Sequence, residues 1–387
     1  MTNIIVQKYG GSSLKTTDQI KAIARSIAKL QKEGQRVIAI VSAMGDTTDQ
    51  LSSLAHKVSK NPIPRELDML ISSGERVSMS LLSLAINDLG VPAISFTGSQ
   101  AGILTSSDHN NANIIEIKPF RVEQSLNENK VIVIAGFQGV NPLTKEITTL
   151  GRGGSDTSAV SIAAHFKSEK CEILKDVHGL MSADPHLCSE AKIIEQINYD
   201  HLYELCFFGA KVLHTKAIAL AKKLNVPLTI GLCGSHTFGT KVSAQASQDF
   251  TAINSLHNVA EFSISSHDRI SALEVFKKTL LKQNITPHEF IHLEENDDQT
   301  FSVLSPLNPD HLNSLENCWP HEISLQNQNL ALVAVTSTHH KIEKIREAFS
   351  DYNFKFLQNQ KFINTGFTIA REEQRAQIIN KLHKDLL

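Results

Sequence analysis

The run "KVIVIAG" (130–136) narrows the choice of fold more than any other feature of this chain. Its centre, Val131 to Ala135, has no polar alternation, so a strand made from it needs cover on both faces. Similar strands are expected at 3–7 ("NIIVQ"), 36–42 ("RVIAIVS"), 91–96 ("VPAISF"), 171–175 ("CEILK") and 226–232 ("VPLTIGL"). Helical patterns separate them. Between about Asp18 and Glu33, residues Ile20, Ile23, Ala24, Ile27 and Leu30 share one face. A helix-rich stretch broken by "NPIP" (61–64) follows the second strand. Further helices are expected over 74–90, with Gly90 as the stop, near 155–168 and over 209–224. This alternation over the first 235 residues specifies an α/β domain whose mostly parallel or mixed sheet is covered by helices.

Near residue 250 the units become shorter. Strands are expected at 259–265, 288–293, 300–305 and 321–326, with helices at 270–283 and 309–317. The pattern restarts with a strand at 330–336, a helix at 339–350, strands at 353–357 and 362–369 and a helix at 371–386. These are two β-α-β-β-α-type modules, the second short of a closing strand unless another segment supplies it. The expected domains are 1–250 and 251–387. The acidic "EENDDQT" (294–300) reads as a solvated loop.

A chain of 387 residues is long enough for two or more cored domains. Its 38 Lys and Arg against 40 Asp and Glu give a net charge of -2, with no basic excess to point to nucleic acid. No secretory signal and no run of roughly 18 apolar residues is evident, so a membrane partner is not expected. Five widely spaced cysteines suit reduced thiols in a cytoplasmic protein. The histidines form no HExxH or carboxylate-rich cassette, and no protein-held metal is expected.

Glycine-rich turns mark where chemistry is expected. "KYGGSS" (8–13) joins the first strand to the first helix, where Gly10 and Gly11 let an anion approach the backbone and Lys8 adds charge. Neither a Walker loop nor a GxGxxG in the first βα unit is present. "GRGGSDTSA" (151–159) is a second such turn before a helical run. Its Arg152 either holds an anionic acceptor or pairs with a surface acid. Glu75, in "SSGE", either caps a helix start or accepts a substrate ammonium. Ser42, Thr47 and Thr48 are helix caps or hydroxyls aimed at a cleft. Asp176 ends a strand, where it suits a ribose or the ordering of a nucleotide. Lys211 in "FGAKVLH" suits phosphate oxygens, and His214 reads as structural.

With these pieces assembled, the chain resembles the aspartate kinases of the amino-acid kinase family. "VQKYGGSS", "VSAMGDTTD", "SSGERVSMSLL", "FTGSQAG", "IAGFQG", "TTLGRGGSDTSA", "KDVHGLMSADP" and "FGAKVLH" carry the resemblance, in the family's order, over roughly residues 4–240. It implies a three-layer amino-acid kinase (carbamate-kinase-like) domain followed by two small ferredoxin-like, ACT-type α+β modules that pair two subunits into a homodimer. It also implies transfer of the γ-phosphoryl of Mg-ATP to the side-chain carboxylate of L-aspartate, with Mg²⁺ held mainly by the nucleotide phosphates. Under that reading Lys8 bridges the phosphoryl group and the attacking carboxylate, and Gly10, Gly11 and Ser12 hold phosphate oxygens. Arg152, Ser42 and Thr48 clamp the aspartate, and Glu75 takes its ammonium. Ser155 and Asp156 position the acceptor and organise the lysine, while Asp176, Met181, His186 and Lys211 serve the nucleotide. A kinase of another small carboxylate or amino acid on the same fold, or a catalytically weakened regulatory paralogue, stays open as an alternative.

The departures from the family pattern gather on the nucleotide side. Lys175 stands where threonine is usual, Met181 where an aromatic residue is, and His186 where arginine is. Thr215 replaces a proline. With His186 in the place of that arginine, a weaker phosphate clamp is expected, and with it a raised ATP KM or an altered nucleotide preference. The turn "SSHDRIS" (265–271) lacks the glycine of the family's effector turns, so weak or absent feedback by lysine or threonine is expected.

Overall fold

The computed structural model describes residues 3–234, 238–246, 248–282, 285, 291–294, 300–307, 309–315, 318–338, 342–352, 354–356 and 365–387. They fall into two units. Met1–Leu180, Ile193–Cys206 and Lys211–Gln248 make the first, and Met181–Lys192, Phe207–Ala210 and Asp249–Leu387 the second.

In chain order the strands of the first unit are β1 (Ile4–Tyr9), β2 (Arg36–Val41), β3 (Ala93–Phe96), β4 (Ile103–Thr105), β5 (Ile114–Ile117), β6 (Val131–Ala135), β7 (Gln138–Val140), β8 (Ile147–Thr149), β9 (Lys170–Lys175), β10 (Gln196–Ile197), β11 (Leu228–Leu232) and β12 (Phe238–Val242). The helices are α1 (Thr17–Lys32), α2 (Thr47–Val58), α3 (Pro64–Ile71), α4 (Ser73–Asp88), α5 (Phe120–Asn127), α6 (Gly154–His165), α7 (Tyr199–Phe207) and α8 (Thr215–Leu224). The main sheet runs β10-β12-β11-β9-β1-β2-β6-β3. From β11 to β3 all neighbours are parallel. A smaller sheet runs β5-β4-β7-β8.

Cover on both faces explains the unbroken apolar strands. Ile20, Ile23, Ala24 and Ile27 of α1 and Met79, Leu82 and Ile86 of α4 pack on Val37, Ala39, Val41, Val131 and Val133. Each buried Ile, Leu, Val or Met side chain among them stabilises the fold by about 1.5–3 kcal/mol. On the opposite face, α6 comes close to the strand ends. A Cβ on Gly136 would sit 3.0 Å from both Ile40 Cγ2 and Ser155 Cα. Thr16 and Gln19 form a capping box that starts α1.

Two expectations change here. The helix expected from 209 starts only at Thr215, because Gly209 holds a φ of 109° and a Cβ there would come 2.1 Å from Ser255 O. His214 caps that helix, its side chain accepting the Lys216 N–H. The helical stretch Pro64–Asp88 is long and apolar enough to cross a membrane, with mean hydropathy 1.2, against the expectation that none is. Half of it is buried, and it holds the buried acids Asp68 and Glu75, as suits a core helix pair.

The second unit contains β13 (Thr251–Ser265), β14 (Ile291–Glu294), β15 (Thr300–Pro306), β16 (Ile323–Ser337), β17 (Phe354–Phe356) and β18 (Thr365–Arg371), with helices α9 (Arg269–Lys282), α10 (Pro309–Leu315), α11 (Ile342–Ala348) and α12 (Arg375–Leu386). One sheet orders them β14-β15-β13-β16-β18-β17. The strands expected separately at 321–326 and 330–336 are one strand of 15 residues, and β13 begins at Thr251 rather than 259. These long strands serve both modules. Val259–Ile264 pairs with Ile323–Leu330 in the first, and Thr251–Leu256 with Leu332–Ser337 in the second. Thr251–Leu256 is therefore the closing strand that the second module lacked. Both modules are β-α-β-β-α-β units, the second permuted so that its last strand comes first in the chain. The acidic loop over 295–299 and parts of the strands expected at 288–293, 353–357 and 362–369 lie outside the described residues.

Candidate functional site

Parallel strands bring the carboxyl ends of β1, β2, β6 and β9 to one edge of the main sheet, where ligands of open α/β sheets bind. Lys8, next to last in β1, lies beside Ile40 and Ile173 in register. Its Nζ is 2.7 Å from Asp156 Oδ1, and the two side chains are only 9% and 11% exposed. Asp156 sits in the first turn of α6, where the helix dipole favours an anion. Burial pushes its carboxyl up. The charge and hydrogen bond of Lys8, the charge of Lys175 and the His214 N–H outweigh burial and hold it below the ordinary value.

The turn before α6 is shaped by contacts only glycine allows. Gly151 and Gly153 have φ of 73° and 70°. A Cβ on Gly153 would come 2.2 Å from His214 Cβ, and one on Gly154 would come 2.8 Å from Phe137 Cδ2. Held this way, the turn leaves Arg152 exposed and Ser155 buried. Among the described residues Arg152 has no carboxylate partner, so the pairing with a surface acid is not made.

Asp68 in α3 supports the turn and was missed by sequence reasoning. It is wholly buried. Its Oδ1 accepts the Thr149 hydroxyl at 2.5 Å, Oδ2 lies 2.6 Å from His109 Nδ1, and both oxygens are 3.2 Å from Asn110 N. Asn110 O in turn lies 2.9 Å from where a Gly151 Cβ would be. Its one signal in the sequence is an acid on the apolar side of "ELDMLI".

Glu75 opens α4 and is 3% exposed. Its Oε1 accepts the Ala43 N–H at 3.0 Å, beside Ser42, while buried Oε2 has no partner among the described residues. Burial raises the carboxyl to about 7, although the N–H groups of Ala43 and of Glu75 itself pull the other way. Ser78 ties the same loop by donating to Ser42 O at 2.6 Å. The first glycine turn locks onto this loop. Gly45 N–H donates to Gly11 O at 3.0 Å, and a Cβ on Gly11 would lie 2.7 Å from Gly45 O. A Cβ on Gly10 would lie 3.6 Å from Lys8 Nζ. Ser12 is exposed, and Thr48 is half-buried in the first turn of α2.

At the end of β9, Lys175 Nζ donates to Lys211 O at 2.7 Å. Burial and the charge of Lys8 lower its ammonium, and Asp156, Asp176 and Cys206 act the other way. Lys175 thus belongs to the Lys8–Asp156 group, although in the sequence it registers only as a departure from a family pattern. Asp176 and Lys211 are exposed. Met181 and His186 fall in the segment grouped with the second unit, where Met181 is half-buried and His186 N–H donates to Asp184 Oδ1 at 2.9 Å. The first unit therefore gathers two lysines, an engaged aspartate, a desolvated glutamate and two glycine turns at one sheet edge.

The amino acid kinase family model matches residues 3–231. The chain belongs to the amino acid kinase family. Within it, relatives point to the aspartokinases. The aspartokinase of Corynebacterium glutamicum is 45% identical over 240 residues, which is 62% of this chain and 57% of that protein. An aspartokinase from Bacillus sp. (strain MGA3) is 41% identical over 273 residues, 70% of this chain and 64% of that one. The match thus spans less than two thirds of the length of these relatives. The structure of E. coli aspartokinase III in complex with aspartate and ADP covers 99% of both chains with a TM-score of 0.77 at 21% identity, a likeness of fold. It extends through the small C-terminal modules, in keeping with their ACT-like architecture. Aspartate kinase from Synechocystis is 32% identical over 98% of this chain and 69% of that one, with a TM-score of 0.57.

Proposed function

We propose that the protein is an aspartate kinase, which transfers the γ-phosphoryl group of Mg-ATP to the side-chain carboxylate of L-aspartate to give 4-phospho-L-aspartate. The observation that carries this reading is the buried Lys8–Asp156 pair, with Lys8 Nζ beside Gly10 and the engaged aspartate at the start of α6. The name of the C. glutamicum relative and the aspartate and ADP bound in the E. coli protein support it.

A carboxylate is already ionised at neutral pH, so the acceptor needs no strong general base. A new O–P bond forms to the carboxylate while the bond from γ-phosphorus to the ADP oxygen breaks. Mg-ATP supplies the phosphoryl group, and its Mg²⁺ travels mainly with the phosphates. The protein's task is to bring two anions into line by positioning and charge. Lys8 stabilises the charge between donor and acceptor, and Asp156 fixes its ammonium. Gly10, Gly11 and Ser12 offer backbone and hydroxyl donors to phosphate oxygens. Arg152 grips an aspartate carboxylate with Ser42 and Thr48, Ser155 orders the acceptor, and the free Oε2 of Glu75 takes the substrate ammonium. Asp176, Lys211, Met181 and His186 serve the nucleotide. The small modules join two cytoplasmic subunits. The turn 265–271 before α9 has no glycine to let an amino-acid effector approach the backbone closely, which supports a weak response to such an effector.

The test is a hydroxylamine trap with Mg-ATP and L-aspartate, beside L-glutamate, D-aspartate and no acceptor. Hydroxamate formed only with L-aspartate is expected. Absence of product with bound ATP would overturn the reading. In the same assay Arg152→Ala should raise the aspartate KM and lower kcat, and constants within about threefold of the parent would remove Arg152 from its role.

A further inference from the structure

Lys175 ends β9 beside the strand that carries Lys8. Lys8 is in register with Ile173, so Lys175, two residues on, projects from the same face of the sheet one strand away. Both charges act on Asp156, whose Oδ1 is already engaged by Lys8 at 2.7 Å. The groups facing Lys175 are Lys8 from β1, Asp156 from α6, the adjacent Asp176 and Cys206 from α7. Cys206 is neutral at physiological pH, since burial pushes its thiol up to about 12. Asp176 is exposed to solvent. Two lysines therefore share one buried carboxylate, and among the described residues Lys175 has no ion-pair partner.

A staple for the Lys211 carbonyl does not require a cation. Lys175 is half-buried, where an ammonium loses part of its hydration, and a neutral donor would serve one carbonyl as well. Of the three N–H bonds on Lys175, one goes to Lys211 O at 2.7 Å, and the other two meet no acceptor among the described residues.

We propose that Lys175 is a further phosphate-binding cation, contacting the terminal phosphate oxygens of a nucleoside di- or triphosphate beside Lys8. This rests on the kinase reading and deepens it, because it gives a named residue outside the glycine turns a share in the preference for polyphosphate over monophosphate nucleotides. The lowered ammonium adds a pH signature. As pH rises, Lys175 loses its charge before an ordinary lysine does, and affinity for the polyphosphate falls with it. Arginine at this place would keep its charge.

Calorimetric titration of the full chain with Mg-ADP and with AMP tests the assignment, using the parent, Lys175→Thr and Lys175→Arg. Lys175→Thr should weaken Mg-ADP about tenfold or more and AMP by less than about threefold. Lys175→Arg should retain Mg-ADP binding and carry it to higher pH than the parent. Equal losses for both nucleotides, or no loss for either, would overturn the proposal while leaving the kinase reading intact. A parent that binds neither nucleotide would overturn both.

Discussion

The two units treat buried polar groups differently. In the first, Lys8, Asp156 and Glu75 collect at one sheet edge, and Glu75 keeps an oxygen without a partner. In the second, buried hydroxyls pair across the sheet. Thr251 meets Ser337 and Thr336 meets Thr365, each at 2.7 Å, and Ser182 Oγ lies 3.1 Å from His383 Nε2. Asn254 Nδ2 and Ser305 Oγ lack partners there, but neither is charged. A scaffold satisfies its polar atoms internally because each unsatisfied one costs stability. A site holds charged groups whose final partner arrives from outside. The comparison predicts that substitutions at the first unit's edge change activity and pH response, whereas those in the six-stranded sheet of the second unit register mainly as stability.

Removing Lys8 should give the largest effect. Lys8→Met is expected to lower kcat on the order of 10³-fold, roughly 4 kcal/mol of barrier. It also leaves buried Asp156 without its direct ion-pair partner, so thermal stability should drop and recover in the Lys8→Met/Asp156→Asn double variant. Steady-state kinetics with melting curves separate the two losses. A variant with near-parental kcat would break the distinction between site and scaffold.

Gly153→Ala comes next. Its φ of 70° and the 2.2 Å approach to His214 Cβ leave no place for a methyl group. A loss of about 3–4 kcal/mol by denaturant unfolding is expected, combining left-handed strain with overpacking. Gly34 also has a positive φ, 88°, but open space around it, so Gly34→Ala should cost only about 1 kcal/mol. Equal costs would show that packing against His214 does not shape the turn.

That pair of glycines also shows what was legible in the sequence. "GRGGSD" announced a turn because three glycines beside an arginine and an aspartate fit no core, and the apolar "VIVIA" announced cover on both faces. Local pattern sufficed where function and packing each need unusual residues close together in the chain. It failed where the decisive partner is distant. Asp68 bonds Thr149, 81 residues away, and nothing in "ELDML" marks that. Lys175 gains its meaning from Lys8 across a strand pair. In the second unit the pattern splits β16 into two strands and shows β13 only from residue 259, because Asn329 and Asn258 interrupt the apolar alternation without ending the strand.

Glu75 offers a smaller and pH-dependent effect. Its carboxyl is raised from 4.5 to about 7 in the fold. The folded chain therefore holds this proton more tightly than the unfolded chain, and stability falls as pH rises through that window. The loss reaches about 3 kcal/mol above pH 7. Glu75→Gln should flatten this slope, so the melting temperatures of parent and variant should diverge from pH 5 to 8. An incoming ammonium needs the ionised carboxylate, so the aspartate KM of the parent should rise as pH falls below 7. A parent with a flat melting profile and a flat KM would place Glu75 with the internally satisfied groups of the second unit.

The smallest effect tests the second unit's own symmetry. Asn258 and Asn329 lie where β13 and β16 pass from one module to the other, with φ of 52° and 56°. Asparagine tolerates this region and alanine does not, so each Asn→Ala change should cost about 1 kcal/mol without altering kcat. Asn258 is half-buried, its N–H 3.4 Å from Glu372 Oε2, whereas Asn329 is exposed. Asn258→Ala should therefore be the costlier of the two by denaturant unfolding, and Asn→Gly at either place close to neutral. If either alanine variant instead changes kcat several-fold at unchanged stability, the second unit is more than a scaffold, because a shift at the shared strands would then reach the chemistry without first unfolding the modules.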